Sequence, residues 1–237
     1  MILGHIGVRG GSKGVPGKNF RVINGKPLID WSLDMLLAHS RVDAVVVSTD
    51  DAAMYAHSVA KGALEIGLRP AELATDAAPK WGVWQHALAA SETLLGKKVT
   101  GFLDLDVTNP LRLEQDISGA LDLFSEEQPD MVMSVCEARK NPYFNLVEPD
   151  ETGALAVSKQ LPGGVWARQA APTVYEHVGC VYVVAPEYLR QAQTIYEGRV
   201  IPFEISAERG FDIDNPHDFD LVEYLLTKLV DQGEVAR

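Results

Sequence analysis

Cysteine is scarce in this 237-residue chain, which has two, Cys136 and Cys180. Two cysteines exclude a disulfide framework and a four-cysteine zinc site. Both lie in apolar runs, the setting of buried free thiols in a reducing compartment. Long hydrophobic runs are missing as well. A membrane helix needs roughly 20 apolar residues, and the most apolar helical stretch, Pro27–Ala38, is interrupted by Asp30 and Asp34. Met1–Val8 has no basic segment and meets Arg9 too early for a secretory signal, so the expected location is cytoplasmic, with no membrane partner. There is no internal repeat, low-complexity stretch or Gly/Ser linker. Basic residues are in deficit, 21 against 33 acidic ones, for a formal net charge of −12. An acidic field of that size argues against nucleic acid as a partner.

What is present is ordinary globular composition, 46% hydrophobic and 23% charged, in a length that suits one domain spanning residues 1–237. Short apolar runs alternate with helical patterns. Ile2–Val8, Ala44–Ser48, Leu64–Ile66, Val99–Leu105, Met131–Cys136 and Gly179–Ala185 read as strands. Pro27–His39, Asp51–Ala60, Trp81–Leu95 (opened by Pro79), Glu114–Phe124 and Pro216–Val230 read as helices, the last capped by Asn215 or Asp214. Continuous apolar strands alternating with helices imply a mostly parallel sheet covered on both faces. The expectation is therefore an α/β, Rossmann-like three-layer α/β/α sandwich. Residues 139–178 break the alternation. Their short strands and the turn signals Pro149-Asp150 and Thr152-Gly153 predict a small β-rich segment protruding from the main sheet.

In such sheets ligands bind beyond the carboxyl ends of the strands, and the notable polar clusters fall there: Arg9–Asn19, Ser48-Thr49-Asp50 and Asp104–Arg112. The first is the most telling. Residues 9–21 hold four of the basic residues and no acid, in a chain otherwise strongly acidic. Gly10, Gly11, Gly14 and Gly17 let backbone N–H groups approach an anion or take positive φ. Lys13 and Lys18 add point charges and Arg9 a bidentate fork. The combination suits a triphosphate. It is neither a P-loop, since Asn19 follows Gly17-Lys18 and Ser12 stands where its first glycine belongs, nor a G-x-G-x-x-G turn. Two further pairs of acids sit two apart at strand-like ends, Asp104/Asp106 and Asp212/Asp214, so each pair shares one face. His5, His57, His86 and His177 show no metal-ligand spacing, and Trp81 and Trp84, at i and i+3, read as packing residues.

The segment IGVRGGSKGVPGKN (Ile6–Asn19), followed by Gly25-Lys26-Pro27-Leu28, resembles the nucleotide-binding signature of the CMP-sugar synthetases, the acylneuraminate and related nonulosonic acid cytidylyltransferases. VVVSTDD (Val45–Asp51), RPAELATD (Arg69–Asp76), TNPLR (Thr108–Arg112) and FDID (Phe211–Asp214) follow in the family's order, so the resemblance spans almost the whole chain. It implies that the anomeric hydroxyl of a nonulosonic sugar acid attacks the α-phosphorus of CTP and pyrophosphate leaves. It further implies a Mg²⁺ cofactor held by Asp212 and Asp214, and a homodimer formed through residues 139–178, with Tyr143, Phe144 and Trp166 as interface aromatics.

The same resemblance assigns Arg9, Lys13, Lys18 and Asp214 to catalysis. Arg9, Gly10, Gly11, Ser12, Lys13, Lys18, Asn19, Arg69 and Lys80 fall to the nucleotide. Asp106, Thr108, Asn109, Arg112, Arg168 and Gln169 fall to the sugar acid. Four positions depart from the sialate pattern. Lys80 replaces a small hydroxyl residue, and at a helix start it opposes the dipole, which suggests an anion opposite it, such as phosphate. Asp106 replaces a glutamine and would serve either a sugar hydroxyl or the metal. Glu176 and Val178 replace an arginine and an asparagine. Glu176 either turns away from the acid or signals an altered acceptor, such as an amino-bearing one. Two other functions remain open on these residues: a nucleotidyltransferase using another nucleotide, sugar acid or sugar 1-phosphate, and a glycosyltransferase of similar fold using Asp104-Leu105-Asp106 as its metal motif.

Overall fold

The computed structural model describes residues 1–11 and 14–235. In chain order its elements are β1 (Ile2–Gly7), β2 (Val22–Ile23), β3 (Lys26–Pro27), α1 (Leu28–Ala38), β4 (Ala44–Ser48), α2 (Ala52–Lys61), α3 (Lys80–Leu95), β5 (Gly101–Asp104), α4 (Glu114–Glu127), β6 (Met131–Glu137), β7 (Val147–Pro149), β8 (Leu155–Val157), β9 (Tyr175–Val184), α5 (Pro186–Gln191), β10 (Val200–Glu204) and α6 (Pro216–Asp231). Six strands form one sheet in the order β10-β6-β9-β5-β1-β4. β1 runs parallel to β4 and β5, and β10 parallel to β6. β9 runs antiparallel between β5 and β6.

Strand residues alternate between two apolar cores, as a period of two requires. Ile6, Val45, Val47, Leu103 and Val183 pack with α1, α4 and α6 through Leu33, Leu36, Ile117, Leu121 and Val222. Leu3, Val46, Phe102 and Val184 face the other way, onto Trp81, Trp84 and Leu88 of α3 and Leu189 of α5. Helices on both faces of a mostly parallel sheet make the three-layer sandwich that the alternation predicts.

Local chemistry sets the helix starts. Asp51 caps α2 by accepting from the N–H groups of Ala53 and Met54. Asn215 caps α6 by accepting from His217 and Asp218, while the Asp218 carboxylate accepts from the Asn215 N–H. The asparagine, not Asp214, is thus the cap, which leaves the Asp214 carboxylate free of that task.

β2, β3 and α5 were not expected from the sequence, and three further segments differ from the expectation. Leu64–Ile66 is extended but forms no strand; its link to the sheet is the Leu64 N–H to Val45 O bond, and the Ile66 N–H turns back to Leu64 O. β10 was hidden by Pro202, which an edge strand tolerates because one side of its backbone pairs with nothing. β9 begins at Tyr175, four residues before the expected Gly179, and its pairing with β6 shifts register between Met133 and Val135. The expected protrusion holds the hairpin β7–β8 around the predicted turn, with Asp150 accepting from Thr152 and Ala154.

Candidate active site

The carboxyl ends of β1, β4 and β5 and the first half of β9 meet at one edge of the sheet, where three adjoining lobes open. The first, about 230 Å³, is lined by His5, Arg9, Arg69, Ala78, Lys80 and Asp106 among others. The second, about 260 Å³, lies between Arg9, Gly14, Lys18 and Asn19 on one wall and Asp106, Thr108 and Asp214 on the other. The third, about 230 Å³, is bounded by Asp106, Thr108, His177, Gly179, Tyr182, Asp212 and Asp214. Asp106 borders all three. A groove of about 380 Å³ beside Trp31, Met35, His39 and Glu114 shares no residue with this cleft.

The loop after β1 docks directly on the Phe211–Asp214 segment. Lys18 Nζ donates to Ile213 O at 2.6 Å. Gly14 lies so close that a Cβ there would stand 1.9 Å from Asp214 O, so only glycine permits this approach. Gly17 supplies the left-handed turn (φ 66°) that starts the short helical turn Lys18–Phe20. Asn19 is buried and spends its amide on Arg9 O at 3.1 Å, holding the loop's two arms together. Arg9 pairs with Asp76, and the Gly10 N–H donates to Asp50 Oδ1 at 3.0 Å. Gly11 is exposed. Ser12 and Lys13, both expected at the triphosphate, lie outside the described residues. Burial lowers the Lys18 pKa, against the raising influence of Asp214, Asp212 and Asp106.

The opposite wall is built by the Thr108–Arg112 segment, which acts mainly on other protein groups. Thr108 Oγ1 donates to Asp212 Oδ1 at 3.2 Å, and Thr108 O accepts from the Ile213 N–H. Asn109, wholly buried, donates to Arg209 O and Phe211 O. Arg112 is also buried, and its guanidinium bonds Cys180 O, Ser32 Oγ and Asp106 O. Neither Asn109 nor Arg112 borders a lobe. They hold the backbone of the acid-bearing segments, a use that residue type alone did not reveal. Asp212 has its pKa raised by burial and then by Asp106 and Asp214, the sign of unbalanced negative charge.

Arg69 sits under the first lobe, with Nε on Ser48 Oγ at 3.0 Å and Nη2 on Ser48 O. The anion opposite Lys80 is the protein's own. Its Nζ lies 2.9 Å from Asp104 Oδ2 and 2.6 Å from both oxygens of Asp106. Burial works against that ammonium, but Asp104 and Asp106 outweigh it and hold its pKa above the ordinary lysine value. Asp104 is buried and also meets His5 Nδ1 at 2.5 Å. Burial favours its neutral acid, yet Lys80 and then His5 hold its carboxyl down to about 2.

Arg168 and Gln169 occupy an exposed turn of the protrusion, Arg168 donating to Arg139 O. They border no lobe of this chain. Glu176 turns away from the cleft and accepts from the Arg139 N–H at 2.9 Å, so it gives no ground for an amino-bearing acceptor. His177, Tyr182 and Gly179 border the third lobe without having been assigned to the site from the sequence. The signal available was a single tyrosine in the otherwise apolar run Gly179–Ala185.

A Rossmann-like sandwich whose glycine- and lysine-bearing loop faces acids across a cleft at the strand ends falls in the class of nucleotidyltransferases. Known proteins narrow the class. The profile of the family described as Cytidylyltransferase matches residues 6–234. Post-translational flagellin modification protein B of Campylobacter coli is 34% identical over 95% of this chain and 94% of its own length. CMP-N,N'-diacetyllegionaminic acid synthase of Campylobacter jejuni is 34% identical over 95% of both chains. The solved structure of CMP:2-keto-3-deoxy-manno-octonic acid synthetase complexed with CTP superposes with a TM-score of 0.67 at 18% identity, covering 96% of this chain and 98% of that one, which shows the shared fold. The chain belongs to the cytidylyltransferase family, in its CMP-sugar synthetase branch, and is a nucleotidyltransferase.

Proposed function

We propose that the protein transfers the cytidylyl group of CTP to the anomeric hydroxyl of a nonulosonic, sialic-acid-like 2-keto-3-deoxy sugar acid, releasing pyrophosphate. The observation that carries this reading is the docking of the Lys18 loop on the Asp212–Asp214 segment, which sets cations and carboxylates on facing walls of the second lobe. In this reading the triphosphate lies along the Arg9–Lys18 loop and the base in the first lobe, beside Arg69. Arg9 leaves Asp76 for phosphate when the nucleotide enters. The acceptor occupies the third lobe.

The reaction is an in-line displacement. The acceptor oxygen forms a bond to the α-phosphorus while the bond to the β-phosphate oxygen breaks. Lys18 neutralises charge that builds on the phosphoryl oxygens, and the fixed lobes supply orientation. Asp214 borders both the second and third lobes and is placed to receive the hydroxyl proton.

The all-oxygen donor set and the surplus charge at Asp212 fit a hard divalent cation such as Mg²⁺. Among the described residues no group of three or more His, Cys, Asp or Glu side chains is placed to hold a metal ion. Asp212 and Asp214 would hold the cation. Bound there, it would withdraw charge from the phosphates and the departing pyrophosphate.

A homodimer accounts for the protrusion. Trp166 is 89% exposed and Leu155 71%, an unusual outlay of apolar surface for a lone chain. Arg168 and Gln169 beside them would then serve the partner's acceptor lobe, where a guanidinium suits a carboxylate. The buried free thiols Cys136 and Cys180 fit a reducing, cytoplasmic location. The test is pyrophosphate release with CTP, Mg²⁺ and a panel of 2-keto-3-deoxy sugar acids, run beside UTP, GTP, ATP and sugar 1-phosphates. CMP-sugar formation with CTP alone supports the reading. Turnover only with a sugar 1-phosphate or another nucleotide replaces it.

A further inference from the structure

The resemblance assigns Lys80 to the nucleotide, but its surroundings point elsewhere. An ammonium has three N–H donors. Three carboxylate oxygens surround this one at 2.6, 2.6 and 2.9 Å, two from Asp106 and one from Asp104. Two aromatic faces flank it, with Nζ 4.1 Å from the Tyr182 ring centroid and 5.1 Å from that of Trp84. Both of its hydrogen bonds go to Asp106, and Asp104 Oδ2 holds it as an ion-pair partner, so its charge is already matched by two of the protein's own carboxylates.

Asp106 is fixed from every other direction as well. Its N–H donates to Gly179 O, its carbonyl accepts from Arg112, and Tyr182 OH reaches Oδ2 at 3.3 Å. A Cβ at position 179 would stand 2.5 Å from that same oxygen, so glycine there is what lets the carboxylate lie against the strand. When Tyr182 donates to Asp106, His177 Nε2, 2.8 Å from the phenol oxygen, is the donor to it. The chain His177–Tyr182–Asp106–Lys80 thus has one direction.

A carboxylate bound to an ammonium through both oxygens is a weak ligand for a second cation, yet its outer lone pairs still accept hydrogen bonds. Among the described residues bordering the third lobe none is Lys or Arg, and three are Asp. An anionic substituent is repelled by such a wall, whereas a hydroxyl or amide N–H is held by it.

Building on the cytidylyl-transfer reading above, we propose that Lys80 is a positioning residue for the acceptor and not a ligand of the nucleotide. It clamps Asp106 as a fixed hydrogen-bond acceptor on the partition between the nucleotide and acceptor lobes, and the acceptor substituent that meets this partition is a hydroxyl or amide donor.

The experiment compares wild type with Lys80→Met, Lys80→Arg and Asp106→Asn. Calorimetry with a non-hydrolysable CTP analogue and Mg²⁺ should give dissociation constants within about twofold of wild type for all three. Steady-state assays should show the KM for the sugar acid raised at least about tenfold in Lys80→Met and Asp106→Asn, with partial recovery in Lys80→Arg. An acceptor whose donor is capped as an O-methyl or N-methyl group should lose at least about tenfold in kcat/KM with wild type and little with Asp106→Asn. Lys80→Met leaves Asp104 buried without its ammonium, so its fold is checked by melting. Asp106→Asn keeps the Lys80–Asp104 pair and tests the same wall. A tenfold loss of CTP affinity in Lys80→Met with the acceptor KM unchanged would overturn the proposal, as would no change in either constant. If wild type turns over no sugar acid, the acceptor reading itself falls, and calorimetry still decides whether Lys80 holds the nucleotide.

Discussion

Lys18 and Asp104 show how position sets the task of a charged side chain. Lys18 donates one N–H to Ile213 O and borders the second lobe. Lys18→Ala should lower kcat by about 10²–10³, the usual effect of removing one preorganised charge at a transition state, with a much smaller change in CTP affinity. Pyrophosphate release and calorimetry measure the two separately, and equal losses in both would assign Lys18 to ground-state binding. Asp104, by contrast, borders no lobe. Its carboxyl is held down to about 2 in the fold against 3.8 in the unfolded chain. The unfolded state therefore takes up its proton first as pH falls. The stability Asp104 contributes is fully present above about pH 4 and disappears as pH drops toward about 2, on the order of 2 kcal/mol. The unfolding free energy of Asp104→Asn, from urea melts, should be lower than wild type at neutral pH and should fall less steeply through that acid window. Cys180 has its thiol pushed up to about 12 by burial, against Arg112. It should resist thiol reagents at pH 8 while the protein is folded and react fully in denaturant.

Two connections carry the site, and each depends on one small residue or cap. The loop after β1 reaches the Phe211–Asp214 segment because residue 14 has no side chain. Gly14→Ala must push the loop off Asp214 O, and since the loop is at the surface the cost should fall on function. A drop of at least about tenfold in kcat/KM for CTP, with the melting temperature nearly unchanged, is expected. A large loss of stability would show that this contact belongs to the fold instead. At the far side, Asn215 caps α6 directly after Asp214. Asn215→Ala should cost about 1 kcal/mol in thermal or urea unfolding. It should also weaken divalent-ion dependence, because the same turn fixes the acid next to it.

For the molecule as a whole, the exposed apolar protrusion is the feature to test. The proposed dimer should sediment as twice the chain mass, and replacing Trp166 and Leu155 together by serine should shift it to monomer. If Arg168 serves the partner's lobe, that monomer should bind CTP normally and lose acceptor turnover. Mixing an Arg168→Ala chain with a Lys18→Ala chain should then restore part of the activity, since one mixed site carries both intact residues.

Much of this was legible in residue order. Helix and strand positions follow from apolar periodicity, the cap of α6 from the Asp214-Asn215 pair, and the loop that enters the cleft from four basic residues set among glycines in an acidic chain. Those signals are local, so a short window contains them. Leu64–Ile66 read as a strand because three apolar residues look alike whether or not a neighbour pairs with them, and β10 escaped because Pro202 disguised an edge. The roles of Lys80, Asn109, Arg112 and Tyr182 lay beyond any such reading. Lys80 meets acids 24 and 26 positions away, and Asn109 meets a carbonyl 100 positions on. The insertion of β9 antiparallel between β5 and β6 likewise brings Gly179 and Tyr182 against Asp106. Which strand inserts beside which is settled by burying two apolar faces at once. That choice, made over the whole chain, turned a lysine expected at phosphate into the clamp of a carboxylate.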